Sequence, residues 1–122
     1  MCKVLLLDSG VEMDDRLRIS LLYDFYSDLL TKKQAESFEM YYFDDLSLQE
    51  VAGHFDISRQ AVSDLLHRTK KILENYEKKM GLMEKYLVRD NILSQIQEIL
   101  DCKFPDENKL SQIRPLIEKL KQ

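Results

Sequence analysis

Two helix starts fall within eleven residues of each other between Ser47 and Ser58, and that spacing is the tightest constraint in the chain. Ser47-x-x-Glu50 is a capping box. In such a box the Ser hydroxyl accepts from a backbone N–H one turn in, and the Glu side chain reaches back to the Ser N–H. Ser58 opens a second helix as its N-cap. Between the two helices, Phe55-Asp56-Ile57 leaves room only for a tight turn. Two helices joined so closely must pack against each other, so the stretch from Ser47 to Leu73 reads as a helix-turn-helix.

The apolar positions agree with that reading. Ala52 falls where the two helices approach most closely and only a small side chain fits. Asp56 falls in the turn, where Gly is the easier residue, although Asp tolerates the left-handed region better than most. Ile57, Val62 and Leu65 lie where apolar side chains lock the second helix onto the first, and Val51 and Phe55 complete the small core.

The outward face of the second helix follows from the same geometry. Arg59, Gln60, Ser63, Asp64 and His67 project away from the core. In this architecture the N-terminal part of the second helix contacts base edges in the major groove. Arg pairs with guanine and Gln with adenine through two parallel hydrogen bonds. Ser58 and Arg68, with Lys70 or Lys71, are placed for phosphates, which contribute affinity and salt dependence but no sequence preference. Asp64 is unfavourable beside phosphates unless it accepts from a cytosine amine.

Charge bears on this face. The chain of 122 residues has a net charge of −4, but residues 47–73 carry four basic and three acidic groups. Residues 1–46 carry five basic and ten acidic groups, and residues 74–122 nine of each. The acidity therefore sits N-terminally, and the basic footprint from Arg59 to Lys71 is local and modest.

The remaining periodicity predicts an all-α helical bundle. A first helix over about Asp14–Leu30 turns Leu22, Phe25, Tyr26 and Leu29 to one face, spaced i, i+3, i+4 and i+7. Thr31-x-x-Gln34 is a second capping box, starting a helix to about Tyr42 with Ala35, Phe38, Tyr41 and Tyr42 inward. Leu48 to about Phe55 forms the third. The fourth spans Arg59 to about Met80 with Val62, Leu65, Leu66, Ile72, Leu73 and Tyr76 inward, and Gly81 suits its C-terminal cap. A fifth runs from about Leu82 to Leu100 with Met83, Tyr86, Leu87, Leu93, Ile96 and Leu100 apolar. Pro105 interrupts, a sixth helix starts near Glu107, and Pro115 should kink or split it. Residues 1–12 read as an N-terminal extension, residues 13–80 as the helix-turn-helix domain, and residues 81–122 as C-terminal helices packing on it or on a partner subunit.

Other chemistry is not indicated. Cys2 and Cys102 do not make a disulfide framework, and neither His54 nor His67 has a second ligand at metal spacing. No cofactor or metal site is expected. No nucleophile–base pair, P-loop or carboxylate pair with catalytic geometry is present, so the chain reads as a non-enzyme. The tyrosines Tyr23, Tyr26, Tyr41 and Tyr42 are read as core and not as base-stacking platforms. Asp44-Asp45 is read as an exposed pair. No apolar run approaches the ~20 residues that a membrane span needs, and a soluble cytoplasmic protein without membrane insertion is expected.

Several of these pieces together resemble the YlxM family of small Gram-positive bacterial proteins. They are Leu30-Thr31-x-Lys33-Gln34, Tyr41-Tyr42-x-Asp44-Asp45-x-Ser47-Leu48, Ile57-Ser58-Arg59-Gln60-Ala61-Val62 and Lys71-x-Leu73-Glu74-x-Tyr76-Glu77. The resemblance runs from about Met13 to at least Arg89. The central part is also similar to the sigma-factor domain that reads the upstream promoter element. The resemblance implies a sigma-like helix-turn-helix and a regulatory role linked to the signal recognition particle pathway. It implies no catalytic residues. The expected function is DNA binding through the second helix. The alternative is an accessory role toward the signal recognition particle, by protein or RNA contact without DNA reading. The apolar faces of the last two helices exceed what a small trihelical core covers, so a homodimer is expected.

Overall fold

The computed structural model describes residues 14–103 and 106–121. The expected extension over residues 1–12, Cys2 and the interruption at Pro105 lie outside them. Among the described residues the chain is all α-helical: α1 (Asp15–Tyr26), a 3-10 turn (Ser27–Leu29), α2 (Lys32–Tyr42), α3 (Leu48–Phe55), α4 (Arg59–Met80), α5 (Leu82–Asp101), α6 (Glu107–Ser111) and α7 (Ile113–Leu120). They divide into two compact units, residues 14–81 and the helices from Leu82 onward.

In the first unit, hydroxyl and carboxylate caps set the helix starts. Asp14 accepts from the Arg16 N–H at α1. Both capping boxes form in full. Thr31 Oγ1 accepts from the Gln34 N–H at 3.2 Å while Gln34 Oε1 accepts from the Thr31 N–H at 3.0 Å. Ser47 Oγ accepts from the Glu50 N–H at 3.1 Å and Glu50 Oε1 from the Ser47 N–H at 3.2 Å. Each such cap satisfies N–H groups that have no intrahelical partner, a contribution of ~1 kcal/mol.

The long helix α4 is the spine of this unit, with α1, α2 and α3 packed on it. Leu22 and Tyr26 of α1, Phe38 of α2, Val51 of α3 and Val62 and Leu73 of α4 are shut off from solvent. The rings of Tyr23 and Phe38 stack with centroids 5.5 Å apart, and Tyr42 lies 4.4 Å from Phe38. The periphery is tied by polar contacts: the Arg18 guanidinium pairs with Glu74, and the Tyr26 hydroxyl donates to Glu77 at 2.6 Å.

The structure departs from the periodic reading of this unit, since Phe25, Ala35, Tyr41, Tyr42, Ile72 and Tyr76 are half-buried and not core, and two departures have a local cause. The first helix ends as α at Tyr26 and continues as a 3-10 turn, whose three residues per turn shift the register, so Leu29 faces solvent. Tyr23 and Ile19 take the buried places instead. Leu65 is only half-buried, and the wholly buried polar residues Ser37 and Thr69 do the filling. Both hydroxyls donate to a carbonyl of their own helix, Thr69 to Leu65 at 2.8 Å and Ser37 to Gln34 at 3.0 Å, so burial leaves nothing unpaired.

In the second unit α5 packs on α7, which follows α6. Ile92 and Leu116 are buried there. Of the apolar positions along α5, Met83 and Ile92 are buried, while Tyr86, Leu93 and Leu100 are exposed. Helix α5 carries more than one apolar stripe, and packing with α7 selects among them. The expected split in the last helix occurs three residues before Pro115, at Gln112, leaving Pro115 third in α7. Proline has no N–H for the carbonyl four residues back and its ring crowds that carbonyl, so the α-helix must restart upstream of it.

Candidate nucleic-acid interface

Helix α3 ends at Asp56, which adopts the left-handed conformation with φ 54° and ψ 48°. Its N–H and that of Ile57 both converge on the Ala52 carbonyl, the latter at 3.1 Å, closing the helix in a Schellman-like turn. Ala52, 2% exposed, lies under this turn, where a larger side chain would hold the helices apart. Two residues later Ser58 caps α4, accepting from the Ala61 N–H at 3.0 Å. The turn therefore contains only Asp56, Ile57 and Ser58, and α3 and α4 pack directly on each other.

Burial divides α4 into two sides. Val62, Leu66, Thr69 and Leu73 are buried, while Arg59, Gln60, Asp64, His67, Arg68 and Lys71 are exposed. Ser63 is half-buried on the flank. Gln60 and Asp64 are not independent: the Gln60 amide nitrogen donates to Asp64 Oδ1 at 3.1 Å. That contact occupies one Gln60 N–H, leaving its second N–H and its carbonyl oxygen to face outward. It also gives the Asp64 carboxylate a donor within its own helix. Ser58 has its oxygen engaged by the cap, which leaves its hydroxyl proton to donate.

The cations differ in their surroundings. Among the described residues Arg59, Arg68 and Lys71 form no ion pair, whereas Arg16 pairs with Asp45 at 2.8 Å and Arg18 with Glu74. Lys70 is half-buried and faces elsewhere. It lines an open cleft of about 570 Å³ together with Asp14, Asp15, Tyr42 and Asp45. Burial, with help from the neighbouring Tyr41 and Asp15, pushes the Tyr42 phenol up, so it stays protonated as a donor on the wall of that cleft.

One cation near the turn has no signature in the sequence. Lys33 of α2 holds its ammonium 6.0 Å from the ring centroid of Phe55, in the last turn of α3. Only the packing of α2 against α3 brings a residue so distant in sequence to this place. Among the described residues no group of three His, Cys, Asp or Glu side chains is arranged to hold a metal ion. None of their helices is long and apolar enough to cross a membrane.

Comparison with known proteins bears on the same segment. The family UPF0122, described as "Putative helix-turn-helix protein, YlxM / p13 like", matches residues 13–113. A UPF0122 protein of Halalkalibacterium halodurans is 43% identical over 104 residues, covering 85% of this chain and 95% of the relative. One from Listeria monocytogenes serotype 4b is 45% identical over 105 residues, covering 85% and 92%. One from Bacillus mycoides is 40% identical over 108 residues, covering 88% and 98%.

Proposed function

The chain belongs to the YlxM/p13-like family UPF0122, and from that premise we propose that it is a DNA-binding regulatory protein reading duplex DNA through α4. The observation that carries this reading is the exposed side of α4, with cations that no carboxylate among the described residues neutralises. In this role α4 enters the major groove by its N-terminal half. Arg59, Gln60, Ser63 and His67 address base edges, and Asp64 orients the Gln60 amide. Ser58, Arg68 and Lys71 contact phosphates, helped by the unpaired N–H groups at the start of α4. Lys70 stands on the flank, lining the cleft that also holds Asp14, Asp15 and Asp45. A single module with so few cations binds weakly, so the reading includes a homodimer that doubles the phosphate contacts. The regulatory role is assigned to the signal recognition particle pathway on the strength of the family resemblance, and the compartment to the cytoplasm.

A second reading has its own observation. The cleft is lined by Asp14, Asp15 and Asp45 against Arg16, which pairs with Asp45, and Lys70, and its surplus of one carboxylate suits a basic protein segment better than a phosphate backbone. On that reading the protein acts on a particle component without reading DNA.

Fluorescence anisotropy with random-sequence and enriched duplexes, at low and moderate salt, separates the two. Under the first reading Arg59→Ala with Gln60→Ala relaxes sequence preference, each base contact being worth ~1–3 kcal/mol. Arg68→Ala weakens all duplexes alike and lowers the salt slope by about 1. Wild-type protein that binds no duplex at low salt rejects DNA reading.

A further inference from the structure

Helix α5 carries a seven-residue repeat on a face that α7 does not cover. Tyr86, Leu93 and Leu100 are spaced by seven, and Leu82, Arg89 and Ile96 fall at the intervening positions of the same repeat. Leu93 is 53% and Leu100 62% exposed, and Leu82 and Tyr86 are exposed as well. The stripe is narrow, interrupted only by Arg89 near its middle, and its three-four spacing is the pattern of a coiled-coil seam and not of scattered surface leucines. It is distinct from the stripe holding Ile92, which is buried where α5 packs on α7.

We infer that this seam joins two copies of the chain through an antiparallel α5–α5 coiled coil. The commitment to a second copy, running antiparallel, comes from charge: Arg89 stands in the seam, and the antiparallel register brings it near Asp90 of the other copy. About a two-fold axis at Asn91, Leu82 meets Leu100 of the other copy, Tyr86 meets Ile96, and Arg89 meets Leu93. Every seam position lands on a seam position. Arg89 and Asp90 are exposed and form no ion pair among the described residues. In the antiparallel register Arg89 of each copy lies one turn from Asp90 of the other, giving two symmetric opposite-charge contacts. A parallel pair would set Arg89 against Arg89. The inference rests on the dimeric part of the proposed function and not on DNA reading.

Sedimentation velocity on the full chain at micromolar concentration tests it. The wild type is expected at the mass of two chains. Leu93→Glu is expected at the mass of one chain with unchanged helical circular dichroism, its dissociation constant raised on the order of 100-fold through loss of a buried Leu from each copy. Arg89→Asp weakens the dimer, and adding Asp90→Arg restores it. This exposed pair keeps the test informative if Leu93→Glu misfolds. With Cys2→Ser and Cys102→Ser as background, mixing Tyr86→Cys and Ile96→Cys chains yields a mixed disulfide in preference to either like pair. A single-chain mass for the wild type at high micromolar concentration overturns the inference, as does preferential Tyr86→Cys self-crosslinking. A dimer that binds no duplex keeps the seam and rejects only the DNA reader.

Discussion

The two compact units spend their apolar residues differently. The unit over residues 14–81 buries ten hydrophobic side chains, among them Phe38, Leu22 and Tyr26, around one spine. The helices from Leu82 onward bury Met83, Ile92 and Leu116 and leave Leu82, Tyr86, Leu93, Leu100, Leu110 and Ile117 exposed. A helix contributes to stability chiefly through the apolar face it hides. The first unit is thus a finished core that carries an exposed polar face on α4. The second has apolar surface in excess of what its own packing covers. Large exposed apolar stripes mark association surfaces more often than idle surface.

The largest test of the contrast is Phe38→Ala. Phe38 is wholly buried and its ring touches those of Tyr23 and Tyr42, so truncation leaves a cavity and costs about 3–5 kcal/mol in urea unfolding. A loss below ~1 kcal/mol would mean that the first core is not as closed as described. Within the second unit, adjacent residues of one helix make the comparison. Ile92→Ala is expected to cost about 2–4 kcal/mol, while Leu93→Ala in dilute protein stays within ~0.5 kcal/mol. Equal effects would erase the distinction between the two stripes of α5.

Alkaline titration probes the first unit alone. Burial, reinforced by its hydrogen bond to Glu39, raises the Tyr23 phenol above its ordinary value of 10.0, and burial raises Tyr42 in the same direction. The folded state therefore holds these protons more tightly than the unfolded chain. Their contribution is fully present below pH about 10 and is lost as pH rises above it, because only the unfolded chain ionises readily there. Stability measured against pH should fall in that range, and Tyr23→Phe should shrink the fall. An unchanged profile in Tyr23→Phe would assign the alkaline loss elsewhere. A small effect of opposite sign is expected at the turn. Asp56 sits at positive φ, where Gly has no steric cost, so Asp56→Gly should stabilise the first unit by up to ~1 kcal/mol without altering the exposed face of α4. Destabilisation by Asp56→Gly would show that the aspartate side chain itself supports the turn.

Much of the architecture was legible because its signals are local. A capping box needs only a hydroxyl and a Glu or Gln three residues on, and both boxes form as read at Thr31 and Ser47. The left-handed turn at Asp56 and the left-handed end of α4 at Gly81 are also decided within a few residues. The candidate reading residues share the exposed side of α4, apart from half-buried Ser63 on its flank, because one helix carries them all. Lys70 lies on that same helix, yet its surroundings come from α1 and the Asp45 loop, so periodicity alone could not place it beside carboxylates.

What the sequence by itself determined is where α2, α3 and α4 begin and end and that α3 and α4 must meet, since capping and turn energies act between neighbours three to five positions apart. Only the tertiary structure decided that Thr69 and Ser37 fill the core, that Lys33 comes to Phe55, and that Ile92 and not Leu93 is buried. A helix with several apolar stripes has no local reason to prefer one. The choice follows from the shape of the surface packed against it, which belongs to residues far away in the chain.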